Sequence, residues 1–412
     1  MREKKLKKSK LPLENSKKPS KKPVENSGKK SSKVFMILGL LGLIGGIACI
    51  VAAFLLPKVS LFEANFPKIP SKNTDDKIYS KLTGVELGSS EELTAPAYCI
   101  QTPNGTDGAR PQAGLNQAGV VFEAIAEAGI TRFAAIYQNP TSAVIGPIRS
   151  LRIYYLKWDT PFDCTIVHAG GAPDAIAAVS RGGYKDLTEN RTYMYRGTVG
   201  TRRWNNLFTT SALLAKMNAD RNYGGSNING FSRMTPSESL VSRVNNLVEE
   251  KLDILKPSSG KTSSLVAKVP AIAIDFGRLA NFNVRYNYDL TSNTYLRSYA
   301  SGAAHEVYVC PEGDLGEKNP ENVCELKQLA PSVVVAIVVS EKRASDNYHE
   351  DITAVGSGKA YVFQNGTVVS GTWKKASDSE QIRFYADDGS EIALAPGQTF
   401  VEAVPEYGSV EY

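Results

Sequence analysis

Histidine is scarce in this chain of 412 residues: His168, His305 and His349 are all there is. A metal site built on several histidines therefore has little to draw on, and neither Cys-x-x-Cys nor His-Glu-x-x-His spacing occurs. The sequence also lacks a Gly-x-Ser-x-Gly elbow and a Walker-type phosphate loop, which sets serine-hydrolase and P-loop chemistry aside. No internal repeat is visible. No metal and no cofactor is expected. Lysine, abundant at the N-terminus, almost disappears between positions 109 and 203, where only Lys157 and Lys185 occur.

What is present begins with an uncharged apolar run of 23 residues over 34–56. As a helix it is about 34 Å long at 1.5 Å per residue, enough to cross a hydrocarbon core of about 30 Å. The preceding residues 1–33 hold twelve lysines and one arginine against three glutamates, and too few apolar side chains to bury. The expectation is a disordered basic cytoplasmic tail, a transmembrane helix over 34–56, and everything after it outside the cell. A cleaved secretory signal has an apolar region of only about 7 to 15 residues. Gly46-Ile47-Ala48-Cys49 resembles a lipobox, with Gly46 where leucine is expected and apolar residues continuing past the cysteine.

Removing the tail's net +10 from the whole chain's +6 leaves −4 for residues 34–412. The basic character belongs to the anchor, so no nucleic-acid partner is expected of the outer part. Besides Cys49 there are four cysteines, an even number suited to an oxidising compartment. Cys310 and Cys324 bracket a polar loop and are the first disulfide candidate. Cys99 and Cys164 sit in apolar, strand-like runs, where buried free thiols are the alternative to a bridge.

Residues 57–92 read as a proline-bearing stalk, 93–255 as an α/β ectodomain, 256–268 as a Ser/Gly/Lys linker, and 269–412 as a β-rich (α+β) C-terminal domain. In the first part, strands are expected over 98–101, 120–124, 131–137 and 164–168, and helices over 150–158, 173–180, 210–220 and 237–255. In the second, strands are expected over 271–276, 283–289, 306–310 and 333–339. Two hairpins should turn at Asn365-Gly366 and Asp388-Gly389.

Nine arginines fall between positions 109 and 203. Lysine suffices for a solvated anchor, whereas guanidinium forks grip carboxylates and phosphates bidentately. Arg110, Arg132, Arg149 and Arg152 are the candidate anion ligands; the alternative is pairing with Glu123, Glu127, Asp159 and Asp163 inside the fold. Val167-His168-Ala169-Gly170-Gly171 reads as a strand end and turn before a helix, which places backbone N–H groups of Gly170 and Gly171 near one spot. His168 is a candidate acid/base there, or a hydrogen-bonded structural residue. Glu123 and Glu127 have helix-face spacing in a strand-like run, which argues against a paired-carboxylate mechanism.

Ala109-Arg110-Pro111-Gln112-Ala113-Gly114-Leu115, Glu127-Ala128-Gly129-Ile130-Thr131-Arg132-Phe133, Ile145-Gly146-Pro147-Ile148-Arg149-Ser150 and Val167-His168-Ala169-Gly170-Gly171 resemble the YerB-like bacterial proteins described as lipoproteins. So do Leu82-Thr83-Gly84, Gly371-Thr372-Trp373 and Leu394-Ala395-Pro396-Gly397-Gln398-Thr399. The resemblance implies a cell-surface protein with an N-terminal domain of unknown function followed by a β-rich one, and no established activity. A fainter one is to LytR-CpsA-Psr proteins, which transfer polyprenyl-pyrophosphate-linked glycopolymers to the cell wall. Arg132, Arg149 or Arg152, and His168-Ala169-Gly170-Gly171 are the matching positions. The acidic partners of those enzymes' arginines are absent, since Arg132 precedes Phe133-Ala134 and Arg149 precedes Ser150-Leu151.

The resulting expectation is a single-pass membrane protein facing outwards, binding an anionic cell-wall polymer or a polyprenyl-linked glycan. A phosphotransferase and a non-catalytic interaction protein are the alternatives.

Overall fold

The computed structural model describes residues 77–197, 205–255, 269, 271–312 and 324–412. The basic tail, the apolar run over 34–56, the linker over 256–268 and the Arg202-Arg203 pair lie outside the described residues. Among the described residues, no helix is long and apolar enough to cross a membrane.

One ten-stranded sheet organises the fold. Its order is Arg383–Ala386, Thr367–Lys375, Gly356–Gln364, Val333–Val339, Thr399–Pro405, Val120–Glu127, Ile130–Gln138, Ala97–Pro103, Thr165–Val167 and Asp186–Leu187. The central strand Val333–Val339 reads VVVAIVV, and such a run forms where both faces of a strand are covered. Val333, Val335 and Ile337 share one core with Phe122, Trp158 and Phe162 of the layer that carries helix Ile153–Asp159. Val334 and Ala336, pointing the other way, pack with Ile274, Tyr286 and Tyr295 of a four-stranded sheet.

The N-terminal part is not the α/β unit expected. The chain is a sheet-rich α+β fold with few helices, because Gly129 turns Val120–Glu127 back on Ile130–Gln138 as an antiparallel hairpin. Ala97–Pro103 then pairs antiparallel with the hairpin's second strand, and only the short Thr165–Val167 and Asp186–Leu187 continue in parallel. The strand Thr399–Pro405, near the C-terminus, inserts between Val333–Val339 and Val120–Glu127, parallel to both. Strands from both sides of the 256–268 segment thus share one hydrogen-bonded sheet.

The segment read as a stalk is described from residue 77, and from there it packs on the fold: Leu82 is 2 % exposed, and its carbonyl accepts from Arg233 Nη2. Asn365 and Gly366 take positive φ at the hairpin between Gly356–Gln364 and Thr367–Lys375. The Asp388-Gly389 turn is also present, but its second arm pairs back on the first through an isolated bridge, Tyr385 to Glu391. Cys310 and Cys324 are bridged as expected. Cys99 and Cys164 are bridged as well, because parallel pairing of Ala97–Pro103 with Thr165–Val167 brings their Cα atoms to 5.7 Å.

Candidate functional site

A cleft of about 620 Å³ opens where three chain turns meet. The end of strand Ala97–Pro103 contributes Pro103 to Asp107, the Val120–Glu127 hairpin contributes Glu127, Ile130 and Arg132, and the loop after strand Ala271–Asp275 contributes Arg278 to Phe282. Arg149 and Asn205 complete its wall.

The hairpin sets the first pair of charges. A register shift between Ile125 and Glu127 re-aims the strand end. There Arg132 Nη2 donates to Glu127 Oε1, and Arg152 Nη2 donates to Glu127 Oε2 at 2.5 Å. Side-chain exposure is 8 % for Arg132 and 12 % for Glu127. Burial alone would push the Glu127 carboxyl up, but Arg132 and Arg152 outweigh it and hold it below the usual carboxylate range. Arg132 and Arg152 also donate to the Ser150 carbonyl at 3.1 and 3.4 Å, so both forks are committed inside the protein.

Arg149 differs. Its backbone N–H donates to Gln101 and its carbonyl accepts from Ala169, so the main chain is fixed on both sides. Among the described residues, its guanidinium forms no ion pair and donates no hydrogen bond, while burial lowers its pKa and Glu127 and Asp107 act against that. It faces the cleft. Arg278, which sequence reasoning did not single out, is exposed on the opposite loop and lines the same cleft. Its only sequence signal is Gly277 before it, just past the strand expected over 271–276.

Arg110 is not among the residues lining this cleft, though it touches Asn104, Asn281 and Phe282, which are. Its guanidinium stacks 3.8 Å from the centroid of the Tyr299 ring, Nε donates to Asn104 Oδ1 at 2.8 Å, and Nη1 donates to the Asn281 carbonyl. Asn104 in turn donates to Glu123 and Thr131, which belong to a buried polar cluster reaching Arg297, Glu402, Tyr286, His305 and Gln112. None of these cluster residues except Glu123 and Arg110 was picked out from sequence, because isolated polar residues in β-runs give no local pattern.

His168, Gly170 and Gly171 are not among the residues lining the cleft. His168 is buried, with Nδ1 2.7 Å from the Gly170 carbonyl and Nε2 2.9 Å from Asp186 Oδ1. Gly170 also accepts from the Leu151 N–H, and Gly171 bridges to Leu151, so the turn anchors the segment that presents Arg149 and Arg152. At the following helix, Pro173–Ser180, the Asp174 carboxylate already accepts from the Ala175 N–H.

Two sequence families match the chain in tandem. Residues 82–224 match the N-terminal domain of a protein of unknown function, DUF3048, and residues 272–401 match its C-terminal domain. The protein named "Putative lipoprotein YerB" from Bacillus subtilis (strain 168) is 25 % identical over 338 residues, covering 81 % of this chain and 88 % of that protein. The crystal structure of YerB protein from Bacillus subtilis superposes with a TM-score of 0.62 at 23 % identity, covering 82 % of this chain and all of that one, a likeness of fold. The chain belongs to the YerB-like family, with both DUF3048 domains in order.

Proposed function

We propose that this protein is a membrane-anchored, extracytoplasmic envelope protein whose cleft binds an anionic group through Arg149 and Arg278. The anchor reading rests on the basic tail and the uncharged run over 34–56, together with the lipoprotein name carried by the Bacillus subtilis relative. The ligand reading rests chiefly on one observation. Arg132 and Arg152 are both hydrogen-bonded to the Glu127 carboxylate, whereas Arg149, which feels Glu127 and Asp107 only through space, forms no ion pair among the described residues and lines the cleft wall. A partly desolvated guanidinium that forms no ion pair among the described residues favours an incoming anion, since the desolvation cost is already met by the fold. Arg132 and Arg152 then serve as scaffold, holding the wall through Glu127 and the Ser150 carbonyl.

The cleft volume exceeds that of a small inorganic ion. Apolar Ile130 and Phe282 beside Asn205 and Thr106 suit a larger body carrying the acid group, such as an acidic or phosphorylated envelope glycan. Calorimetric titration of the full-length protein with pyrophosphate and with an acidic disaccharide tests this. Binding that weakens at least tenfold in Arg149→Ala supports the reading, and absence of binding by either ligand removes it.

A further inference from the structure

Glu123 and Glu402 lie directly opposite each other on neighbouring parallel strands, Val120–Glu127 and Thr399–Pro405. Neither side chain is exposed. Parallel pairing sets partner side chains at the same level on strands about 4.8 Å apart, so two carboxyl groups are forced together in the interior. The Arg297 guanidinium is the cation that reaches both, donating from Nη2 to Glu123 Oε2 at 2.5 Å and from Nη1 to Glu402 Oε1 at 2.7 Å.

The hydrogen bonds divide the pair unequally. Glu123 is surrounded by donors: Arg297 on one oxygen, Thr131 Oγ1 at 2.5 Å and Asn104 Nδ2 at 3.1 Å on the other. Glu402 Oε1 accepts from Arg297 and from the Tyr286 hydroxyl, but Glu402 Oε2 is buried with no donor facing it among the described residues. An ionised oxygen in that position bears the full cost of desolvation. A protonated Glu402 does not, because its O–H can donate to the neighbouring Glu123 carboxylate.

We propose that Glu402 carries a proton in the folded protein and donates it to Glu123, and that this shared proton is a pH-sensitive catch closing the large sheet between strands Val120–Glu127 and Thr399–Pro405. When pH rises, the proton leaves to solvent and two carboxylates face one guanidinium in the buried interior. The other groups around the pair do not supply a second contacting cation. His305, on the far side of Arg297, accepts from Arg297 Nε at Nδ1 and is held neutral by burial and by Arg297, which push its pKa well down. Tyr286 and Tyr299 are neutral phenols pushed up by burial. Arg110 spends its Nε on Asn104 and its Nη1 on the Asn281 carbonyl. Burial and the neighbouring Glu123 push the Glu402 carboxyl up from 4.5 to about 8.

The sign follows from linkage. A carboxyl whose folded pKa lies above its unfolded value stabilises less as pH rises between the two, here from about 4.5 to about 8. Thermal unfolding of the full-length chain between about pH 6 and about pH 9, beside Glu402→Gln, isolates this group, because the difference between the two proteins cancels every other titration. Glutamine keeps an acceptor for Arg297 and Tyr286 and offers Glu123 a permanent N–H donor. The expected result is a wild-type midpoint that drops by several degrees relative to the variant as pH rises. A variant less stable than wild type by the same margin at every pH overturns the proposal, since it reveals an ionised Glu402 paired with Arg297. Should the variant not fold, infrared spectroscopy of Asp159→Asn, which removes the other buried carboxyl held up by burial, decides: a protonated-carboxyl carbonyl band at neutral pH that disappears at alkaline pH is expected, and its absence refutes the shared proton.

Discussion

Arg297 donates to Glu123 across 2.5 Å, with neither side chain exposed and 174 positions of chain between them. The contact joins the four-stranded sheet to strand Val120–Glu127 of the large one, so it closes the fold rather than decorating it. Replacing Arg297 by Met should cost about 3 to 5 kcal/mol, the usual penalty for stranding buried charge. Urea unfolding measures this. A loss under about 1 kcal/mol would mean that water reaches the cluster and that it contributes little.

Much of the framework was legible because it rests on local signals. Helix Pro173–Ser180 follows from proline at its first turn, strand Val333–Val339 from an unbroken branched run, and the Asn365-Gly366 hairpin from turn chemistry. The order of the strands in the sheet was not, because pairing between strands is decided by contacts far apart in sequence; the hairpin around Gly129 is the local exception. Thr399–Pro405 pairing with Val120–Glu127 is the extreme case. The site shows the same division: arginine enrichment pointed to Arg149, but Glu127 claiming Arg132 and Arg152, and Arg278 arriving from a distant loop, depend on the completed fold.

The two disulfides should differ in worth. Cys99–Cys164 closes a separation of 65 residues and Cys310–Cys324 one of 14. On the chain-entropy estimate these correspond to about 4 and about 3 kcal/mol. Paired replacement of Cys99 and Cys164 by Ala, compared with the same change at Cys310 and Cys324 in denaturant, should give the larger loss for the first pair. The reverse order would assign the second bridge a role in native packing beyond loop closure.

Glu127 sets an acid limit. Its folded pKa lies below the ordinary 4.5, so the stabilisation it gives is present above that value and is lost as pH falls through the folded pKa. Wild type should therefore lose stability below about pH 4.5 more steeply than Glu127→Gln. Parallel acid-unfolding curves for the two proteins would show that the arginines around Glu127 do not stabilise its charge.

The sharpest test of the cleft separates charge from geometry at Arg149. Lysine keeps the charge but loses the planar fork, so Arg149→Lys should weaken binding of an acidic disaccharide by about tenfold, or 1.4 kcal/mol, if the acid group is held bidentately. Arg278→Ala should weaken it too, by less, because that side chain is exposed and its contact is screened by salt. The two effects also predict different salt responses: the loss at Arg278 should shrink as ionic strength rises, while the loss at Arg149, partly buried, should persist. Calorimetry at two salt concentrations reads both. Equal affinity of Arg149→Lys and wild type would reduce Arg149 to a point charge and leave the fork geometry without a role.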